Sequence, residues 1–141
     1  MSNISMTTSK RNAIVTVMLI SAFVSMLNQT ILNTALPAII KGLNITETTA
    51  QWLITGFMLV NGIMIPLTAF LMDKYSTRHL YIFSMAIFLI GSVVAAVSPT
   101  FSILMISRII QAIGAGILLP LMQFTVFTLF PAEQRGFAMG L

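Results

Sequence analysis

Long stretches without any charged residue dominate the pattern of apolar and polar positions along this chain. Four such stretches occur, at residues 12–40, 48–72, 80–107 and 109–132. A helix needs about 20 consecutive apolar residues to cross the hydrocarbon core of a bilayer, and each stretch is long enough. The third stretch is interrupted by "VSPTF" (97–101), where a proline and small polar residues end a helix. The pattern predicts four transmembrane helices, at about residues 13–36, 48–72, 79–97 and 101–130.

The composition agrees with this pattern and excludes a water-soluble domain. Hydrophobic residues make up 57% of the chain and charged residues only 7%, whereas soluble domains carry roughly 25% charged residues. The fold class is therefore an all-α integral membrane protein, surrounded by the lipid bilayer. The net charge of +4 comes from basic residues scattered between apolar stretches. They form no basic stripe, so we expect no nucleic-acid partner.

The placement of Lys and Arg predicts the orientation of the helices. With the N-terminus inside, one side holds Lys10, Arg11, Lys74, Arg78 and Arg135, and the other holds only Lys41. Basic residues accumulate in cytoplasmic loops, so residues 1–12 are predicted to be a cytoplasmic N-terminus of a multi-pass protein in the cell membrane. The first apolar stretch is too long to be the core of a cleaved signal peptide.

The chain offers few residues for catalysis or for metal binding. It contains no cysteine, one histidine and three acidic residues, and the acids all fall in predicted loops. No paired carboxylates, nucleophile with a base, or glycine-rich phosphate loop occur. The sequence predicts no enzyme activity, no metal site and no cofactor.

Arg108 is the exception to the apolar pattern, because it lies inside the stretch "LMISRIIQAIGAGILLP" (104–120). An arginine at the centre of a membrane helix costs roughly 2.5–3.5 kcal/mol on insertion scales, so such residues usually face a polar interior. The alternative is that its side chain extends to the membrane surface. Asn28, in the first helix, lies at a matching depth, and Gln111 shares the helix face of Arg108. We expect Arg108 to line a polar path through the bundle, in one polar cluster with Asn28 and Gln111.

Two further groups of residues have competing interpretations. Ala112, Gly114 and Gly116 are small residues that allow helix backbones to approach closely, so a packing role is expected for them. Asp73, Lys74 and Arg78 lie in the predicted cytoplasmic loop "MDKYSTRH" (72–79). This loop is either an ordinary solvated turn or a functional element, and the charges alone do not decide between the two.

Several of these stretches resemble the drug:proton antiporters of the major facilitator superfamily, in the branch with fourteen helices. "LNQTILNTALPAI" (27–39) is similar to the first-helix signature of that branch, and "AFLMDKYSTRHL" (69–80) to its loop between helices 2 and 3. The stretch around Arg108 resembles the fourth-helix motif, and "FPAEQRGFAMG" (130–140) resembles the entry to helix 5. Within this branch, the motifs are most similar to those of bacterial lincomycin-resistance and quaternary-ammonium efflux proteins.

The resemblance implies a fold and residue roles. Residues 13–141 would be part of a transporter N-terminal domain, truncated at the start of helix 5, that works with the remaining transporter helices. Arg108 and Gln111 match motif positions implicated in proton transfer and in the electrostatics of the cavity. Asp73 matches the loop acid that controls the conformational switch, and Lys74 and Arg78 match basic positions of that loop.

The sequence also departs from the pattern of the branch. Asn28 stands where the first-helix signature usually has an acid, and an amide does not exchange protons near neutral pH. Ala69, Ser76, Thr77 and Ala112 replace residues that the two later motifs usually have. The departure at Asn28 bears directly on whether transport is coupled to protons.

The resulting prediction is a multidrug efflux transporter that exports small amphipathic drugs or antibiotics by proton antiport. One alternative is a four-helix membrane module that binds or regulates a partner without transporting. A small dimeric multidrug exporter is a third interpretation, but it requires a glutamate inside the first helix, which this chain lacks.

Overall fold

A computed structural model describes residues 8–129, and these residues form four α-helices joined by short turns. The helices are α1 (Thr8–Leu43), α2 (Glu47–Lys74), α3 (Thr77–Ala96) and α4 (Phe101–Leu129). Each helix is long and apolar enough to cross a membrane. The prediction of an all-α chain with four membrane-spanning helices is confirmed for this part of the molecule.

The first helix is longer at both ends than the predicted range 13–36. It has 36 residues, which is about 54 Å at 1.5 Å per residue, whereas the hydrocarbon core of a bilayer is about 30 Å thick. Lys10, Arg11 and Lys41 therefore lie on the helix and not in flanking loops. Charged residues mark where the apolar surroundings end, and the backbone hydrogen bonds of a helix continue past that point.

The turns between the helices are closed by local polar contacts. Asn44 follows α1 with a φ of 50°, a left-handed conformation that asparagine tolerates better than most residues at the end of a helix. Thr46 caps α2, because its side-chain oxygen accepts a hydrogen bond from the backbone N–H of Thr49 at 3.2 Å. Ser76 precedes α3 in an extended conformation, and the third helix begins two residues before the predicted position.

The last helix, α4, is the centre of the bundle and packs against the other three. In an apolar segment of 18 residues taken from each helix, 56% of the residues are buried in α4, compared with 22% to 28% in the other three helices. One core cluster draws side chains from all four helices: Met18, Met64, Leu80, Ile117 and Leu121. Residues on the inner faces of α4 are therefore shielded by neighbouring helices.

Small residues on α4 lie where the helices approach most closely. Ala112 is fully buried. A Cβ atom on Gly114 would lie 2.6 Å from the backbone oxygen of Ser84 in α3, and one on Gly116 would lie 2.5 Å from the Cβ of Met64 in α2. Gly114 and Gly116 thus serve two different interfaces. This placement supports the packing role predicted from the sequence.

The outward faces of the bundle are apolar. Ile31, Leu59 and Leu89 are each more than 60% exposed, which suits contact with lipid tails or with further helices. Three prolines lie inside helices, at Pro37, Pro66 and Pro120. Membrane helices tolerate such prolines because neighbouring groups satisfy the backbone atoms that are freed.

Candidate functional site

Arg108 lies at the centre of a polar cluster inside the bundle. Its side chain is only 3% exposed. Its Nη1 atom donates hydrogen bonds to Oδ1 of Asn28 at 2.8 Å and to Oε1 of Gln111 at 2.7 Å. The structure therefore brings together the three residues that the sequence grouped by depth and by helix face. The side chain points into the bundle and not toward a helix end, which argues against the alternative of extension to the membrane surface.

The spacing of residues on two helices explains how these partners meet. Arg108 and Gln111 are three residues apart on α4 and share a face. On α1, the buried residues nearest the cluster follow a helical stripe at Ser21, Ala22 and Ser25, and Asn28 continues that stripe. Because Asn28 lies at the same depth in the bundle as Arg108, its side-chain amide contacts the guanidinium.

The second helix contributes an aromatic ring to the cluster. The guanidinium carbon of Arg108 lies 4.6 Å from the centroid of the Phe57 ring, and Phe57 is 2% exposed. A cation over an aromatic face is stabilised by the ring quadrupole, more strongly when both groups are shielded from water. The sequence analysis missed Phe57, because nothing distinguishes it from the other phenylalanines of the chain, which number ten in total.

The third helix completes the cluster through Gln111. The Nε2 atom of Gln111 donates to Oγ of Ser92 at 3.1 Å, and Ser92 in turn donates to the backbone oxygen of Phe88 at 2.9 Å. Gly91 allows the side chain of Gln111 to lie close to the backbone of α3, since a Cβ atom on Gly91 would lie 2.8 Å from Cγ of Gln111. The sequence analysis also missed Ser92 and Gly91. The one signal that could have identified them is the presence of a glycine inside an apolar helix.

The partners of Arg108 among residues 8–129, which are Asn28, Gln111 and Phe57, are electrically neutral. The chain has three acidic residues, and two of them lie in the described part, at the ends of α2. Glu47 is ten residues before Phe57 and Asp73 is sixteen residues after it, which corresponds to about 15 and 24 Å along the helix axis. Neither reaches the guanidinium, so residues 8–129 place no negative charge beside the positive charge of Arg108.

The guanidinium is only partly satisfied. Within residues 8–129, the hydrogen bonds of Arg108 all come from Nη1, and its Nε atom is buried without a hydrogen-bond partner. An arginine carries five N–H donors in a planar fork. The edge formed by Nε and Nη2 is therefore the side of the group on which the described residues place no acceptor.

The residues predicted to form a loop between the second and third helices lie mostly on the helices themselves. Asp73 and Lys74 are in the last turn of α2, Arg78 is in the first turn of α3, and only residues 75–76 separate the two helices. Asp73, Lys74 and Arg78 are all exposed, and in the described part of the chain Asp73 makes no ion pair. Lys74 places its Nζ 4.6 Å from the ring centroid of Phe70. The structure therefore does not gather the three predicted switch residues into one network. The side-chain contact at this turn is between Oγ of Ser76 and Nδ1 of His79, at 2.6 Å.

Two hydrogen bonds outside the cluster also join helices, and the sequence did not indicate them. The hydroxyl groups of Ser21 in α1 and Tyr81 in α3 are 2.5 Å apart. Thr68 in α2 donates to the backbone oxygen of Gly116 in α4, at 3.2 Å, as well as to its own helix at Met64. Polar contacts of this kind hold helices together in lipid, where hydrophobic burial gives no driving force.

Comparison with known proteins identifies the family. Residues 18–141 match the model of the Major Facilitator Superfamily, which is most of the chain. The chain belongs to the major facilitator superfamily. This membership confirms the family resemblance drawn from the motifs, and it agrees with a bundle of apolar helices around a polar centre.

Relatives within the superfamily include transporters of several bacteria. The chain is 54% identical over 131 residues to an uncharacterized MFS-type transporter, YcnB, of Bacillus subtilis, covering 93% of this chain and 28% of that protein. It is 44% identical to the lincomycin resistance protein LmrB of Bacillus subtilis, covering 87% of this chain and 26% of that protein. It is 35% identical to the multidrug export protein EmrB of Escherichia coli, covering 86% and 24%.

The chain thus spans about a quarter of the length of these relatives. No solved structure matches it. The predicted entry to a fifth helix, at residues 130–141, lies outside the described residues.

Proposed function

We propose that this chain forms part of the N-terminal half of a multidrug efflux transporter in the cell membrane. The transporter would export small amphipathic drugs or antibiotics, by proton antiport. Support comes from its relatives, whose names include lincomycin resistance and multidrug export proteins. The observation that carries the proposal is the buried Arg108 cluster, because ionisable residues inside membrane spans are rare and mark substrate or ion pathways.

In this proposal the Arg108 cluster lines the pathway of the substrate. Transporters of this architecture bind substrates near the middle of the membrane and alternate access by rocking their halves. Arg108 acts as a fixed charge, since arginine stays protonated in proteins. Asn28 and Gln111 accept hydrogen bonds from its Nη1 atom, so the orientation of the guanidinium is fixed before a substrate binds. Asp73, Lys74 and Arg78 act at the cytoplasmic α2–α3 turn, where their exposure leaves them free to form contacts that differ between conformations.

A chimera tests this function. Residues 1–141 would replace the matching segment of the lincomycin resistance protein of Bacillus subtilis, in cells that lack their own exporter. We expect energy-dependent ethidium efflux and raised lincomycin tolerance from the chimera. The same cells expressing residues 1–141 alone should match the empty vector, because the relative is more than three times as long. A well-expressed chimera without efflux would refute the transport proposal, and efflux by residues 1–141 alone would refute the need for further helices.

The proposed orientation, with the N-terminus and the α2–α3 turn in the cytoplasm, has its own test. The chain lacks cysteine, so single cysteines can be labelled against a clean background. Thr48→Cys is a suitable outer position, because Thr48 is exposed and avoids the left-handed backbone of Asn44. An impermeant maleimide added to whole cells should label Thr48→Cys and not Ser76→Cys. The reverse result would invert the topology.

A further inference from the structure

The two sides of the Arg108 guanidinium differ in how they are occupied. Both hydrogen bonds from Nη1 end on amide oxygens, those of Asn28 and Gln111. Nε is buried and has no hydrogen-bond partner among the described residues. The ring of Phe57 covers one face of the group at 4.6 Å. Together these contacts fix the plane of the guanidinium and the direction of its unoccupied edge.

The unoccupied edge has a chemistry of its own. The N–H groups of Nε and Nη2 point in parallel, and that spacing matches the two oxygens of a carboxylate, which accepts both hydrogen bonds at once. A neutral hydroxyl or amide oxygen fills only one of the two donors. A cationic group is repelled by the guanidinium. The group best suited to this edge is therefore a carboxylate.

The described part of the chain, residues 8–129, supplies no such group at this depth. The acidic residues of the whole chain number three, and Glu47 and Asp73 lie about 15 and 24 Å from the level of Phe57 along α2, while Glu133 follows α4 in the sequence. A buried charge without a counter-charge is costly. An anion that arrives from outside the chain would remove that cost and satisfy the buried Nε atom.

We propose that the Nε–Nη2 edge of Arg108 is a binding site for the carboxylate of an amphipathic organic anion. This inference rests on the proposed function, since it adds amphipathic organic anions, held at this edge, to the substrates of the pathway that Arg108 lines. Asn28 is central to it. An acid at that position would neutralise the arginine from within, whereas the amide leaves the positive charge available. Because Arg108 is only 3% exposed, the anion reaches the edge when the bundle opens toward one side of the membrane.

Binding can be measured on the 141-residue chain reconstituted in nanodiscs of uncharged phosphatidylcholine lipid. The probes are pyrenebutyrate, pyrenebutanol and pyrenebutyl-trimethylammonium, which share an apolar body and differ in charge. The only tryptophan of the chain, Trp52, lies five residues before Phe57, so energy transfer from its indole to pyrene reports binding near the cluster. We expect pyrenebutyrate to bind saturably and about tenfold more tightly than the alcohol, as one charge-assisted contact allows.

Variants of the cluster separate the site from general attraction to the membrane. Arg108→Gln should make the three probes equivalent, and Arg108→Lys should keep part of the preference, because it retains the charge and loses the fork. Asn28→Asp should lower the preference while the arginine remains in place. Lys41→Gln removes one exposed charge outside the cluster and should change nothing. Circular dichroism establishes that each variant keeps its helices.

Two results would overturn the inference. One is equal binding of pyrenebutyrate and pyrenebutanol by the unchanged chain. The other is a carboxylate preference that persists in Arg108→Gln, or that is unaffected by Asn28→Asp. Efflux measured in the chimera distinguishes a failure of the carboxylate-site inference from a failure of the transport proposal. Efflux of ethidium with no carboxylate preference would refute only the inference, and carboxylate binding without any efflux would refute only the transport function.

Discussion

Arg108 and Asp73 are both charged residues within motifs of the superfamily, and their surroundings are opposite. Arg108 is 3% exposed and is held by residues from α1, α2 and its own helix. Asp73 is exposed, and in the described part of the chain it makes no ion pair. A charge inside a membrane span must find its partners within the protein, whereas water satisfies an exposed charge at the end of a helix, where Asp73 lies. Substitutions at Arg108 should therefore disturb contacts within the bundle, whereas substitutions at Asp73 should leave the packing of the bundle unchanged.

The largest effect that this comparison predicts is at the buried site. In the chimera, Arg108→Ala should reduce ethidium efflux to the level of the empty vector, because the fixed charge of the pathway is lost. Arg108→Lys should restore part of the efflux, since it keeps the charge without the planar fork. Protein levels measured by immunoblot serve as the control. Normal efflux by Arg108→Ala would mean that the arginine has no role in transport.

The next effect concerns the close packing that buries the cluster. Gly114→Ala places a Cβ atom 2.6 Å from the backbone oxygen of Ser84, and such overpacking typically costs about 1–3 kcal/mol. Gly62→Ala is the matched control, because a Cβ atom there meets nothing within 4 Å, and it should be neutral or stabilising. Thermal unfolding in nanodiscs measures both variants. Equal melting temperatures for the two variants would show that the α3–α4 interface accommodates an additional methyl group at Gly114.

A smaller effect is expected at the exposed end of α2, and it should be of another kind. Asp73→Asn should change the stability by less than about 0.5 kcal/mol, as is usual for surface substitutions, yet slow efflux several-fold in the chimera. Glu47→Gln, which removes the acid at the other end of α2, should leave efflux unchanged. If Asp73→Asn transports at the normal rate, the α2–α3 turn is an ordinary solvated one.

The smallest effect is expected at the hydrogen bond between α1 and α3. Tyr81→Phe removes the partner of Ser21 and should cost about 0.6 kcal/mol, the average for such contacts between membrane helices. Tyr75→Phe, at an exposed tyrosine, is the control and should have no effect. A double-mutant cycle with Ser21→Ala isolates the pair. A coupling energy of zero would mean that the two hydroxyl groups do not interact in the membrane.

The sequence predicted the helices and the Arg108–Asn28 pair for the same physical reason. Charges and amides are rare inside membrane spans, so their depths can be compared directly, and matching depths indicated contact. Phe57, Gly91 and Ser92 could not be found in this way. An apolar face that meets lipid and one that meets another helix have the same composition, so the sequence does not show which face of α2 or α3 turns inward.

The ends of the helices were predicted less well than their middles. Charges mark the edge of the apolar layer, and α1 continues beyond it at both ends, from Thr8 to Leu43. The loop predicted at residues 72–79 is wrong in its length, because α2 continues to Lys74 and α3 begins at Thr77, so Asp73 lies in the last turn of α2. Its contacts were not predictable, because exposed side chains have many arrangements of similar energy.

The hydrogen bond between Asn28 and Arg108 has a consequence for how the protein is made. The two residues are 80 positions apart in the chain. At a synthesis rate of about 5–20 residues per second, Asn28 leaves the ribosome roughly 4–16 seconds before its partner. During that interval the amide stays in the insertion machinery or in lipid without the arginine. Most of the packing of α1 is against α4, so the helix that is made first gains most of its contacts only after the last of the four has been made.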